Sequence, residues 1–149
     1  MTTWVEKLLD WFKVNGRELP WREERTPYRT WVSEIMLQQT RVEAVRAYYT
    51  NWLEKFPTPE TVAQASTEDV LHAWQGLGYY RRARLLQQAM QEVQARYDGE
   101  IPSGRDELLA LPGVGPYVMG AIRSLAFNKL EPAVDGNVLR VFARLYGIT

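Results

Sequence analysis

The chain has 149 residues, enough for one domain, with 46% hydrophobic and 24% charged residues, a balance that excludes intrinsic disorder. Eighteen basic side chains offset eighteen acidic ones, so global charge announces no polyanionic partner and any basic surface has to be local. Cysteine is absent, which excludes disulfides, thiolate zinc sites and iron–sulfur ligation within these residues.

Trp4, Leu8, Leu9, Trp11 and Phe12 recur at helical spacing and predict a first helix over residues 3–14, ended by Asn15 and Gly16. Residues 17–27, with Pro20, Pro27 and several charges, read as loop. Trp31, Ile35 and Leu37 predict a second helix stopping near Gln38. Thr40 with Glu43 fits a capping box opening a third helix through Phe56. Thr58 before Pro59, and Ser66 with Asp69, start two further short helices, the second ending at Gly76. Residues 81–96 form a long helical run closed by Asp98 and Gly99. Ser103 with Asp106 opens a short helix ending at Pro112, and residues 116–127 and 137–146 give the last two. No segment alternates as a strand does, so the expected class is all-α. The last helix runs almost to Thr149, which suggests a fragment. No apolar run is long enough to span a membrane. Glu6, Lys7 and Asp10 within the first apolar stretch do not suit a secretory signal.

Leu111-Pro-Gly-Val-Gly-Pro-Tyr117 lies between two helical segments. Gly113 and Gly115 permit positive φ and leave backbone N–H groups open to an anion such as a DNA phosphate. Spacing alone leaves an ordinary tight connection equally open, whereas a dinucleotide fits poorly because no strand precedes the turn. Glu34 shares a helix face with Leu37, and a carboxyl beside apolar surface has the raised pKa of a proton donor. A solvated carboxylate is the commoner role for a single Glu. Asp135 precedes the last helix, where capping is its ordinary role. Gly76-Leu-Gly-Tyr-Tyr-Arg-Arg-Ala-Arg84 mixes aromatics with arginines that can pair with phosphates, or forms a solvated helix start. Trp21, in Leu19-Pro-Trp-Arg22, is a core anchor or a wall for an unstacked base. His72 is the one histidine, and neither a zinc site nor a Ser–His–Asp triad is supported.

Taken together, Leu19-Pro-Trp-Arg22, Trp31-Val-Ser-Glu-Ile-Met-Leu-Gln-Gln-Thr40, Gly76-Leu-Gly-Tyr-Tyr80, Leu111-Pro-Gly-Val-Gly115 and Val134-Asp-Gly-Asn-Val138 resemble the MutY-type adenine glycosylases of the helix-hairpin-helix base-excision superfamily. The pieces come in family order over nearly the whole chain, and the one holding Glu34 is the most specific. The resemblance implies a six-helix barrel over residues 23–133. Residues 1–22 and 134–149 would contribute to a second, partial helical module. It implies that Glu34 protonates adenine N7 and that Asp135 stabilises an oxocarbenium-like sugar of a flipped nucleotide. Gln39 and Tyr79 match duplex-filling or wedging residues. Trp21, Arg22 and Leu37 match the adenine pocket, and Asn137 matches a polar neighbour of Asp135. Arg17, Thr40, Gly113, Gly115 and Tyr117 complete the expected substrate or DNA contacts. Tyr117 occupies the position of the Schiff-base lysine in bifunctional relatives such as endonuclease III, which implies a monofunctional enzyme. Val118 departs from the small hydroxyl residue usual in the family.

The implied partner is double-stranded DNA carrying adenine opposite 8-oxoguanine or guanine, with no membrane, and the expected state is a monomer. The expected location is cytoplasmic, nucleoid-associated in a bacterium. No cofactor or metal is expected in this chain, and a [4Fe-4S] cluster is expected in the full-length family protein. A hairpin domain that holds DNA without chemistry, and a glycosylase for another mispaired base such as thymine, are the alternatives. Glu34 disfavours thymine, which gains less from a proton donor.

Overall fold

A computed structural model describes residues 3–149. Among them every regular element is helical, as the sequence predicts: ten α-helices and one π-helical turn. In chain order these are α1 (Trp4–Asn15), α2 (Pro20–Glu23), α3 (Pro27–Leu37), α4 (Val42–Lys55), α5 (Pro59–Gln64), α6 (Thr67–Trp74), α7 (Arg81–Tyr97), α8 (Arg105–Leu109), α9 (Pro116–Ala121) and α10 (Gly136–Tyr146), with the π-turn at Ile122–Ala126.

Predicted and observed boundaries agree where a hydroxyl or a glycine acts locally. Thr58 Oγ1 accepts from Thr61 N–H and Ser66 Oγ from Asp69 N–H, each opening a helix. Asp98 and Gly99, at φ of 54° and 82°, close α7. The stretch 17–27 is not all loop. Leu19-Pro20 and Thr26-Pro27 each start a helix, because proline at the first position presets φ, and Thr26 Oγ1 caps Arg29 N–H. The capping box at Thr40 does not form: α4 begins after Arg41, and the Thr40 hydroxyl is engaged by Arg82 instead. Ser103 does not cap α8, whose first flanking residue is Gly104. The predicted helix 116–127 divides where α9 passes into the π-turn.

The core is built around α3, α4, α6 and α7, with Trp31, Trp52 and Trp74 fully buried. Trp52 meets Trp74 edge-on at 5.6 Å, and its indole N–H donates to the Tyr28 hydroxyl at 3.0 Å. That hydroxyl in turn donates to the Phe56 carbonyl at 2.6 Å, so a buried polar chain is satisfied within the core. Buried Gln87 donates to the Ala65 carbonyl at 2.8 Å, tying α7 to the end of α5. Seven of the eleven residues of α3 are buried. Its remaining half-buried edge, with Glu34 and Leu37, is what this packing leaves for a cleft.

Candidate active site

Glu34 and Asp135 line the same cleft, of about 1020 Å³, at the upper end of the roughly 300–1,000 Å³ typical of ligand pockets. The two carboxyls lie 101 positions apart in sequence. The fold joins them by packing α9 on α3 and leading the residue before α10 into the same cleft. Tyr117, in the first turn of α9, donates its hydroxyl to Glu34 Oε2 at 2.7 Å. Burial raises the Glu34 pKa above the ordinary 4.5; the Tyr117 bond and Arg25 oppose the rise, and Asp135 adds to it. Burial, then the Glu34 charge and its hydrogen bond, push the Tyr117 phenol up in turn, so it serves as a donor and not as a base.

Asp135 fills the capping role its position predicts. Its Oδ1 accepts from Val138 N–H at 2.8 Å and caps α10, while the residue still faces the cleft. Asn137 donates through Nδ2 to Asp135 Oδ2 at 3.5 Å and accepts at Oδ1 from Arg140 at 2.7 Å, so it links the carboxyl to a cation.

The cleft is locally basic in a chain of zero net charge. Arg17, Arg22, Arg25, Arg81 and Arg82 line it against only Glu34 and Asp135. Among the described residues none of the five forms an ion pair within 4.0 Å. Arg22 donates to the Arg17 carbonyl at 2.8 Å and lies over the Phe12 ring at 5.2 Å. Desolvation and the like charges of Arg25 and Arg17 lower its pKa, the signature of a cationic cluster that an anion would relieve. Trp21 is both an anchor and a wall: it is 8% exposed, packs edge-on against Tyr49 at 5.6 Å, and borders the cleft with Leu37.

Gln39 and Tyr79 also border the cleft, and both are exposed. Each is a non-glycine residue in the left-handed region, at φ of 59° and 51°, a conformation that stores about 1–3 kcal/mol. The residue that holds them there is Arg82, one of the arginines read from sequence as phosphate-pairing or as part of a solvated helix start; it does neither, and its guanidinium points inward. Nη1 donates to the carbonyls of Ile35 at 2.7 Å, Met36 at 3.2 Å and Gln38. Nη2 donates to Thr40 Oγ1 at 3.1 Å and to the Gly78 carbonyl at 3.4 Å. Its carbon lies 5.3 Å from the Tyr79 ring centre and 5.4 Å from that of Trp74. Arg82 thus staples the end of α3 to the turn before α7, and Thr40 is part of that staple. The sequence signal was only an arginine one turn after a Gly-Tyr pair.

The turn between α8 and α9 separates the roles of its glycines. Gly113 is at φ +75°, and a Cβ there would lie 3.0 Å from Leu85 Cβ, so both conformation and packing need glycine. Gly115 corrects the sequence expectation of positive φ: it sits at φ −98°, with open space where a side chain would be. Among the described residues nothing lies within 4 Å of a side chain's Cβ at 115, which leaves room for an external group near the backbone. Val118, where a small hydroxyl was expected, is buried and serves the core.

The residues present do not fit an iron–sulfur cluster: the chain has no cysteine, and the described residues hold no group of three His, Cys, Asp or Glu suited to a metal. No helix among them is long and apolar enough to cross a membrane.

Adenine DNA glycosylase from Arabidopsis thaliana is 45% identical over 95% of this chain and 26% of its own length. The enzyme of that name from Rattus norvegicus is 44% identical over 99% and 30%, and that of Buchnera aphidicola from Schizaphis graminum 39% over 99% and 44%. The chain therefore spans between about a quarter and under half of the length of these relatives. Among solved structures, a thermostable thymine-DNA glycosylase superposes with a TM-score of 0.87 at 31% identity, covering 93% of this chain and 64% of that one. Endonuclease III in a non-covalent DNA complex gives 0.80 at 29% identity, covering 97% and 70%. The sequence pattern of the HhH-GPD superfamily base excision DNA repair proteins matches residues 32–149, and the chain belongs to that superfamily.

Proposed function

We propose that this chain is the catalytic portion of a monofunctional DNA glycosylase that releases adenine mispaired with 8-oxoguanine or guanine. The observation that carries the reading is one basic cleft holding two carboxyls of different environment: Glu34, desolvated and hydrogen-bonded by Tyr117, and Asp135, at a helix N-terminus. Because Tyr117 fills Oε2 of Glu34 as an acceptor, the acidic proton sits on Oε1, free for a base edge. Protonation at adenine N7 lets the N9–C1′ bond break with its electron pair leaving on the base. Asp135 stabilises the cationic sugar that remains, and water completes the abasic site. The adenine reaches the cleft only when extruded from the stack. Exposed Gln39 and Tyr79, held in strained backbone conformations at its rim, suit the space it vacates. Gly113 and Gly115 offer backbone N–H groups to a phosphate, and Arg17, Arg22 and Arg25 draw the phosphodiester to the cleft.

Tyr117 cannot form a Schiff base, so the reaction stops at the abasic site and borohydride traps no adduct. The backbone likeness to a thymine-DNA glycosylase raises thymine as a second substrate. The adenine glycosylases at 39–45% identity and the proton-donor environment of Glu34 favour adenine.

The deciding experiment incubates the protein with duplexes carrying adenine opposite 8-oxoguanine, G, C or T, then treats with alkali to reveal abasic sites. Cleavage opposite 8-oxoguanine and G is expected, and its loss in Glu34→Gln with duplex binding retained. Excision by Glu34→Gln at the parent rate would overturn the mechanism; release of thymine in place of adenine would overturn the substrate.

A further inference from the structure

Asp135 is delivered to the cleft by an irregular stretch, residues 128–134, between the π-turn and α10. No residue of that stretch is buried, so hydrophobic packing does not hold it, and such a connection ordinarily moves more than the helices it joins. Three contacts hold it instead, all to α9 and its neighbours. Lys129 N–H donates to the Arg123 carbonyl at 2.9 Å. Gly120 in α9 meets the chain at Pro132: a Cβ there would lie 2.0 Å from the Pro132 carbonyl oxygen and 3.0 Å from Ala133 Cα. Glu131 lies between two guanidinium groups, with Oε1 3.3 Å from Arg105 Nε and 4.0 Å from Arg123 Nε. The Glu131 side chain is only 10% exposed and that of Arg123 20%. Arg123 is itself fixed through Nη1 on the Ser103 carbonyl.

Arg105 is 63% exposed and Glu131 Oε1 makes no hydrogen bond among the described residues, so the attraction is electrostatic. The shielded carboxylate still depends on the two cations, because removing one partner of a desolvated pair costs more than breaking a surface pair. It sits four positions before Asp135, with Pro132 and Ala133 pressed on bare backbone in between. We propose that Glu131, through Arg105 and Arg123, is a positioning residue that sets where Asp135 stands in the cleft. The proposal rests on the role given to Asp135 above. It makes α9 and the π-turn that continues it the common reference for both carboxyls: Tyr117 fixes Glu34 from the first turn of α9, and Gly120 and Arg123 hold the stretch that leads to Asp135.

The test compares the parent protein with Glu131→Gln, Glu131→Ala and Gly120→Ala, with Arg96→Ala as an exposed ion-pair control. Single-turnover adenine release in Glu131→Gln is expected to slow about tenfold, inside the hundredfold an ångström of misplacement costs, with duplex affinity changed less than about twofold. Amide exchange at Val138, whose N–H Asp135 caps, should quicken in Glu131→Gln, as should that of Gly120→Ala, which displaces the stretch through a different contact. Arg96→Ala should match the parent in both readouts. Unchanged release and unchanged Val138 exchange in Glu131→Gln overturn the proposal. So does a loss of release that only follows a parallel loss of binding, which is the mark of a general structural role. Should the parent release no adenine from any duplex, the glycosylase reading fails on its own, and Val138 exchange alone decides whether Glu131 holds Asp135.

Discussion

Glu34 stands where the buried side of α3 meets the cleft, and burial is the main reason its carboxyl titrates above 4.5. Holding that proton suits a general acid, and giving it up is what costs the fold. The unfolded chain releases that proton near the ordinary value, and the native state keeps it to higher pH. Between the two values the native state binds more protons, so stability falls as pH rises through the elevated value. Glu34→Gln removes the titration while its carboxamide oxygen still accepts from Tyr117. The variant should therefore be more stable than the parent at pH 7, and equal to it below pH ~4, where both side chains are neutral. Urea unfolding at the two pH values checks this; equal stability at pH 7 would mean that the carboxyl is not strained. This much of the residue was legible in the sequence, because an acid one turn from Leu37 on an apolar face implies desolvation. Tyr117 as its partner was not, because 83 residues separate the two.

Helix caps show what local sequence can and cannot dictate for an element. Thr58 and Ser66 cap as read because each hydroxyl has no competing partner. Thr40 has the same credentials and fails because Arg82 claims its hydroxyl. The competitor lies 42 residues away, beyond any local pattern. The Ile35, Met36 and Gln38 carbonyls it also satisfies are 44 to 47 residues away. Arg82 is therefore the joint between two turns that sequence reading treated separately, and its value lies in the planar fork that serves five acceptors at once. Arg82→Met leaves several carbonyls without a donor and should destabilise the protein by roughly 2–3 kcal/mol. Arg82→Lys should recover only a minor part, because a single ammonium cannot span both turns. Both variants free Gln39 and Tyr79 to leave the left-handed region, so tyrosine contact with a duplex, read by fluorescence quenching, should weaken alongside stability. A lysine variant as stable as the parent would show that the staple is incidental.

At the scale of the molecule, helical periodicity reported helices faithfully but said nothing about which of them share a core. The apolar faces of α1 and α10 read like those of α3 and α7, yet no residue of α1 or α10 is buried. The two helices lean on each other, with Trp4 edge-on to Phe142 at 6.1 Å and its indole N–H on the Tyr146 hydroxyl at 3.2 Å. Leu8, Trp11, Leu139 and Leu145 remain more than half exposed. A helix with little burial has little tertiary support, and short isolated helices are marginal in water. Opening α1 or α10 therefore exposes little new apolar surface, whereas opening α3, α4 or α7 dismantles the three-tryptophan core. Native-state amide exchange should accordingly be layered. Amides of α3, α4 and α7 should exchange only through global unfolding, and those of α1 and α10 through far cheaper local opening. Substitutions should follow the same order: Trp52→Ala should cost about 3–5 kcal/mol and Trp4→Ala below about 1 kcal/mol. Protection in α1 equal to that in α7 would mean that the terminal helices are bound into the cooperative core, and the division between a rigid cleft scaffold and a loosely held helix pair would not stand.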